Sequence, residues 1–240
     1  WWLLKKKNAM FYTGFGRGDF GRFLMASNLL TVHDTAEARE VDNHISDVLA
    51  YIKSIKPPRY PHKIDGALAE QGRVLFNSNC SKCHGEKDDE YPNLLIPASL
   101  IKTDSLLYTS NYQNPEMINW FNKSWFAMGD HPARLEPFRG YIAPPLDGVW
   151  ITAPYLHNGS VPTIEAVLNS KIRPKYWSRD FNAPKYDYDK LGWVYTTVDK
   201  PGGTTVYNTE LVGYGNYGHY FGDKLTDEER KAVIEYLKGL

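Results

Sequence analysis

The sequence predicts a mainly α fold with long irregular, aromatic-rich loops and one small β-hairpin, on three observations. Capped, amphipathic helical patterns lie near both ends of the chain. A further helical pattern runs straight into Cys80-Ser81-Lys82-Cys83-His84. About 140 residues, rich in Tyr, Trp, Pro and Gly, separate that motif from the last helix.

Length and composition set the bounds. The 240 residues suffice for one large domain, and 42% hydrophobic against 23% charged residues fits a globular chain with a buried core. Lys+Arg and Asp+Glu balance at 28 each, so no global field would recruit nucleic acid or an anionic membrane. Apolar runs fall far short of the roughly 18 residues of a spanning helix, so no transmembrane segment is expected. Trp1-Trp2-Leu3-Leu4 followed by three lysines is too short for a signal peptide and has its charges on the wrong side. A start at Trp1 reads as a mature fragment or part of a longer polypeptide.

The elements follow in order. Asp34-Thr35-Ala36-Glu37 resembles a capping box, and Val41, Ile45, Val48, Leu49, Ile52 and Ile55 recur at helical spacing until Pro57-Pro58 stops the run. His44 falls among the polar positions and reads as a surface histidine. After a Pro-containing linker, residues 67–76 form a short helix with Leu68, Gly72 and Leu75 on one face. Gly costs about 1 kcal/mol in a helix interior, so Gly72 signals close approach to another helix. The expected partner is the C-terminal helix, opened by the capping box Thr226-Asp227-Glu228-Glu229 and striped by Val233, Tyr236, Leu237 and Leu240. Between them, residues 115–126 and 162–168 read as short helices. Residues 193–198 and 204–209 read as a hairpin around Asp199-Lys200-Pro201-Gly202-Gly203.

The chain has two cysteines, three apart and followed by His, so a disulfide framework is not expected. C-x-x-C-H is the pattern of c-type haem attachment: each thiol adds to a vinyl group, and the spacing delivers His84 to the iron. A zinc half-site would want further cysteines, and a redox dithiol would want a βαβ context and gives His84 no role. The reading is therefore one covalently bound haem c, held by Cys80 and Cys83 with His84 as proximal ligand. Two terminal helices crossing beside this motif make the cytochrome c arrangement. Haem c maturation would place the protein in the periplasm or outside the cell.

The iron's other face is open to several donors: His33, His44, His62, His131, His157, His219, Met10, Met25, Met117 and Met128. His62 sits in a Pro-flanked linker. Met128 follows an aromatic helix, where a thioether ligand could lie. His157 stands in a tight turn after Tyr155. His219 is flanked by Gly215, Gly218 and Gly222, whose backbone freedom would let a loop wrap onto a flat macrocycle. The residues themselves leave His219, His157, Met128 and an open site as alternatives. Trp120, Trp125, Trp150, Tyr155 and Trp177 are candidate packing residues, and simple core aromatics are an equal reading for each. Gly16-Arg17-Gly18-Asp19-Phe20-Gly21 fits G-x-G-x-x-G, but no βαβ unit surrounds it, so a Gly-rich turn is expected. The sequons at Asn122 and Asn158 are expected to be unmodified.

The block PPLDGVWITAPYLHNGSVPTIEAVL, residues 144–168, resembles the C-terminal haem domain of the bacterial di-haem cytochrome c peroxidase superfamily. With KKKNAMFY, GRGDFGRFLMAS, VLAYIKSIKPPRYP and GNYGHYFGDKLTDEERKAVIEYLKGL it resembles most the rubber-oxygenase-like branch. The resemblance covers most of the chain and thins between residues 87 and 136. It implies that this haem is the second of two and is six-coordinate, with a distal histidine mapping onto His219. His157 then becomes a supporting or propionate-side residue. Residues 1–60 would be a helical segment, the tail of a preceding haem domain, and 61–240 the c-type cytochrome domain. The first haem domain of that family has no counterpart here.

The expected function is one-electron transfer through a low-potential, bis-His haem, serving a redox partner protein or a second haem domain. Two other classes stay open. One is a peroxidase-like or dioxygenase-like oxidoreductase whose active haem lies elsewhere. The other is a structural module of an extracellular multihaem assembly.

Overall fold

The computed structural model describes residues 1–86 and 91–240. Residues 87–90, where the resemblance begins to thin, lie outside the described residues. In chain order the elements are β1 (Ala9–Met10), β2 (Gly16–Gly18), α1 (Phe20–Asn28), α2 (Thr35–Ser54), α3 (Gly66–Asn79) and α4 (Ser81–His84). Then come β3 (Leu95–Pro97), α5 (Ala98–Ile101), α6 (Leu106–Ser110), α7 (Pro115–Lys123), β4 (Ala133–Leu135), β5 (Gly140–Ile142) and α8 (Ile164–Leu168). The chain closes with β6 (Tyr176–Ser178), β7 (Tyr186–Asp187), β8 (Gly192–Trp193), β9 (Thr196–Thr197), β10 (Val206–Asn208) and α9 (Asp227–Leu237).

Helix makes up 39% and strand 12%, which corrects the mainly α expectation to a mixed class. The reason lies between α4 and α9. Aromatic and β-branched residues there pair as short strands, while frequent Pro and Gly keep any one element from growing.

The chain divides into two compact units. The first comprises Trp1–Pro57, Asn93–Pro97 and Leu107–Pro145. Its antiparallel sheet has the order β1-β2-β4, and β3 pairs with β5. Gly16 and Gly18 belong to the central strand β2, which leads into α1 through the Asp19 cap. The glycine motif is therefore a short strand running through the Asp19 cap into the first turn of α1 rather than the expected turn, and the antiparallel partners of β2 rule out a dinucleotide-binding βαβ. Phe20, Phe23, Ile52, Phe121, Phe126 and Leu135 centre the core of this unit, with Phe121 stacked between Phe23 and Phe126 at 5.5 and 5.3 Å.

Helix α2 forms as its periodicity predicts. The Asp34 side chain accepts from the Ala36 and Glu37 amides. The Glu37 carboxylate accepts from the His33 amide, so the cap is one-sided rather than a reciprocal box. His44 is exposed beside Glu40, as expected of a surface histidine.

The second unit comprises Pro58–Pro92, Ala98–Leu106 and Leu146–Leu240. Here α3 packs on α9. A Cβ at Gly72 would fall 1.8 Å from the Ala232 carbonyl oxygen, so only glycine admits this approach. Phe76, Val149, Trp150, Tyr155, Val161, Ile164, Leu168, Val233, Ile234 and Leu237 form the core. Burying a large apolar side chain contributes roughly 1.5–3 kcal/mol, so this cluster anchors the unit. Helix α9 opens with a reciprocal capping box: Glu229 N–H donates to Thr226 Oγ1, and Thr226 N–H donates to the Glu229 carboxylate.

The expected hairpin does not form. Strands β9 and β10 lie on opposite edges of β6, in the order β10-β6-β9, and β8 pairs instead with β7. Tyr176 and Trp177 on β6 are buried. The better partner for each flanking segment is this buried strand rather than its neighbour across the turn.

Candidate haem site

The motif is presented at a helix junction in the second unit. Helix α3 ends at Cys80, whose amide still donates to Phe76 O at 2.7 Å. One further turn, α4, follows: the Cys83 and His84 amides both donate to Cys80 O at 3.1 Å. Gly85, at φ +75°, ends it. Positions i, i+3 and i+4 share one face of a helical turn, so both sulfurs and the imidazole emerge together. Cys80 packs against the core cluster, and burial pushes its thiol up to about 11. That environment keeps the sulfur protonated and apolar, which suits a thioether better than a thiolate metal ligand.

His219 comes from the loop between β10 and α9. Its ring faces His84, with centroids 6.2 Å apart and planes inclined by 58°. Phe221 stands edge-on to it at 5.2 Å. The loop rests on residues 101–104: His219 N–H donates to Ile101 O at 2.8 Å, and Gly215 N–H donates to Asp104 Oδ2 at 3.3 Å. Gly218, at φ +83°, has no room for a Cβ, which would fall 2.4 Å from the main chain of Lys102 and Thr103. Buried Asp104 also accepts from Leu106 N–H and the Tyr217 hydroxyl. Asn158 Nδ2 donates to Gly213 O and Gly215 O at 3.1 and 2.9 Å.

The residues fit a haem. Two in-line metal–imidazole bonds of about 2 Å each, plus roughly 1 Å from each bonded nitrogen to its ring centre, give about 6 Å between centroids. The observed separation matches that sum. Burial first, and then electrostatic interaction with His84 and Arg173, push His219 down to about 3, so the imidazole is neutral as a ligand must be. Its Nδ1 is buried and has no hydrogen-bond partner among the described residues. Asn77 Oδ1, Thr103 Oγ1 and Ser160 Oγ in the same unit are likewise buried without one among the described residues. Among the described residues no three His, Cys, Asp or Glu side chains converge on one point.

The other sequence candidates lie elsewhere. Met128 is 56% exposed and belongs to the first unit. His33 pairs with Glu37 at the surface, and exposed His62 stands edge-on to Tyr188 at 4.4 Å. His157 is half-buried, and burial pushes it down to about 4 against the opposing pull of Asp104. Trp150 and Tyr155 sit in the core cluster that Cys80 touches. Trp150 Nε1 donates to Pro58 O at 2.9 Å, and the Tyr155 hydroxyl donates to Val149 O at 3.0 Å. Trp177 is buried and stacks on Tyr207 at 5.4 Å. Trp120 and Trp125 are exposed in the first unit, Trp125 beneath the Arg22 guanidinium, so neither is a buried packing residue.

Sequence reading missed Arg173 and Asp104, whose side chains hold the His219 loop. Their signal was faint. Arg173 stands beside Pro174 in a short stretch with no acidic residue from position 170 to 176 to pair with it.

The family described as RoxA-like, cytochrome c-like matches residues 140–178. An uncharacterized protein of Sinorhizobium fredii, y4iM, is 28% identical over 253 residues, covering 89% of this chain and 57% of the relative. A second from the same organism, y4iJ, is 44% identical over 111 residues, covering 42% of this chain and 18% of the relative. The chain thus spans little more than half of one curated relative and under a fifth of the other. No described helix is long and apolar enough to cross a membrane. The match supports a RoxA-like cytochrome domain, and with it haem and iron binding and a haem-based redox role.

Proposed function

We propose that this chain is an electron-transferring c-type haem domain, with one haem attached through Cys80 and Cys83 and its iron held between His84 and His219. The facing imidazoles, 6.2 Å apart in one unit, are the observation that carries the reading. Bound haem would supply a one-electron Fe(III)/Fe(II) couple. The chain does the rest. Both axial positions would be closed by imidazoles, which favours the ferric state and a low potential. The N–H and C=O contacts of the His219 loop hold that ligand in place through a change of iron charge. Phe76, Trp150 and Tyr155 pack the region beside Cys80 and keep water from it.

Haem c maturation outside the cytoplasm supports a periplasmic or extracellular site. A redox protein, or a second haem domain within a di-haem oxidoreductase, would exchange the electron. The greater length of both relatives leaves room for that arrangement.

Optical and low-temperature EPR spectra of the ferric protein, recorded for wild type and His219→Ala, test the assignment. The expected result is a low-spin wild type that becomes high-spin in the variant. A wild type that is already high-spin would sink bis-imidazole ligation and move the reading toward a haem that itself binds oxygen or peroxide.

A further inference from the structure

Arg173 uses all five of its N–H groups on main-chain carbonyls. Nε donates to Ala166 O at 2.9 Å and Nη2 to Val167 O at 3.1 Å, which fixes the guanidinium to α8. Nη1 donates to Asn216 O at 2.6 Å and Gly218 O at 2.7 Å, and Nη2 reaches His219 O at 3.3 Å. The fork thus joins α8 to the loop that carries His219. A partly buried cation is costly unless every donor is matched, and here every donor is.

The backbone it grips is unusual. Gly218 and His219 are consecutive left-handed residues, at φ +83° and +50°. A residue with a side chain reaches that region at a strain cost and stays there only when its surroundings over-determine it. The His219 peptide is gripped from both ends: its N–H donates to Ile101 O, and its C=O and that of Gly218 accept from Arg173.

We propose that Arg173 is a positioning residue for the distal ligand, holding His219 in the left-handed conformation that turns its imidazole toward His84. The proposal rests on the reading of His219 as an iron ligand. Arg230 is the natural control. It too is a buried guanidinium on carbonyls, of Leu168, Gly222 and Asp223, but it grips none of the residues from 216 to 219.

The test uses the full haem-loaded chain in the ferric state, as wild type, R173Q, R173K and R230Q. Cyanide is the probe, because it reaches the iron only when His219 leaves. R173Q should bind cyanide about tenfold faster or more, the factor expected from releasing strain of this kind, and should show a high-spin EPR component. R173K, with charge but no fork, should lie between R173Q and wild type. R230Q should stay within about twofold of wild type. Should R173Q not accumulate with haem, R173K decides: a rise of about threefold or more upholds the proposal, and an unchanged rate overturns it. It is also overturned by an unchanged R173Q, or by an R230Q that accelerates as much, which would mean general loosening. A wild type that is high-spin and binds cyanide at once removes His219 as ligand, a failure of the underlying reading that is recognisable before any Arg173 variant is measured.

Discussion

The two sides of the candidate iron site are built by opposite means. On the His84 side, α3 and α4 form a nearly continuous helix, and the main-chain bonds that set the cysteines and histidine run between residues three or four apart. On the His219 side, a loop is held by Ile101, Asp104, Asn158 and Arg173, between 43 and 118 residues away along the chain. The first side is specified by local sequence. The second exists only once the unit has folded. Changes on the helical side should therefore move global stability, and changes on the loop side should move the ligand.

The largest effect should come from Gly72→Ala. The added methyl would overlap the Ala232 carbonyl, so α3 and α9 must part along their contact. Overpacking at a backbone–backbone approach should cost about 3 kcal/mol or more. A urea titration read by far-ultraviolet circular dichroism should show a much lower midpoint, and haem-loaded protein should accumulate poorly. An unchanged midpoint would mean that the two helices can separate freely, which would break the proposed division between the two sides.

A smaller, pH-dependent effect is expected at His157. Its ordinary pKa of about 6.5 is pushed down to about 4 by burial. The unfolded chain therefore takes up the proton first. Stability from this residue is fully present above about pH 6.5 and is lost as pH falls from about 6.5 to about 4. Allowing for its partial exposure, the loss should be about 2 kcal/mol. Urea midpoints at pH 7 and pH 4.5 should lie closer together in His157→Asn than in wild type, the remaining gap coming from other groups such as His219. Parallel shifts in both would show that His157 is solvated in solution.

What could be read from the sequence follows the same divide. The extents of α2, α3 and α9, the Thr226 box, the tight contact at Gly72 and the C-x-x-C-H presentation all rest on interactions within a few residues or on one periodic face. The mixed class was not legible, because the pairing of β9 and β10 is decided by buried Tyr176 and Trp177, over 15 residues from either strand. The hairpin expectation failed for the same reason: a Gly-rich turn was visible, but its competitor was not. His219 drew attention through its glycines and through the family resemblance. Arg173 and Asp104 drew none, because the contacts by which they hold the loop, Arg173 to the carbonyls of Asn216, Gly218 and His219 and Asp104 to Gly215 N–H and the Tyr217 hydroxyl, are long-range and leave no periodic trace.

The smallest effect sharpens the contrast most. Thr226→Ala removes the side-chain acceptor for Glu229 N–H, half of the box that opens α9. Loss of such a cap typically costs about 1 kcal/mol, so the urea midpoint should fall modestly. The Thr226 box is made within α9 itself, whereas the His219 loop is held by Arg173, Asp104 and residues near Ile101. If the two sides are independent, T226A should leave the ferric spin state and the cyanide rate at wild-type values while lowering stability. R173Q should do the reverse, shifting the spin state with a smaller change in midpoint. If T226A also frees the distal ligand, then α9 and the loop unfold as one unit. The difference between local and long-range construction would then describe how each side is specified, but not how it fails.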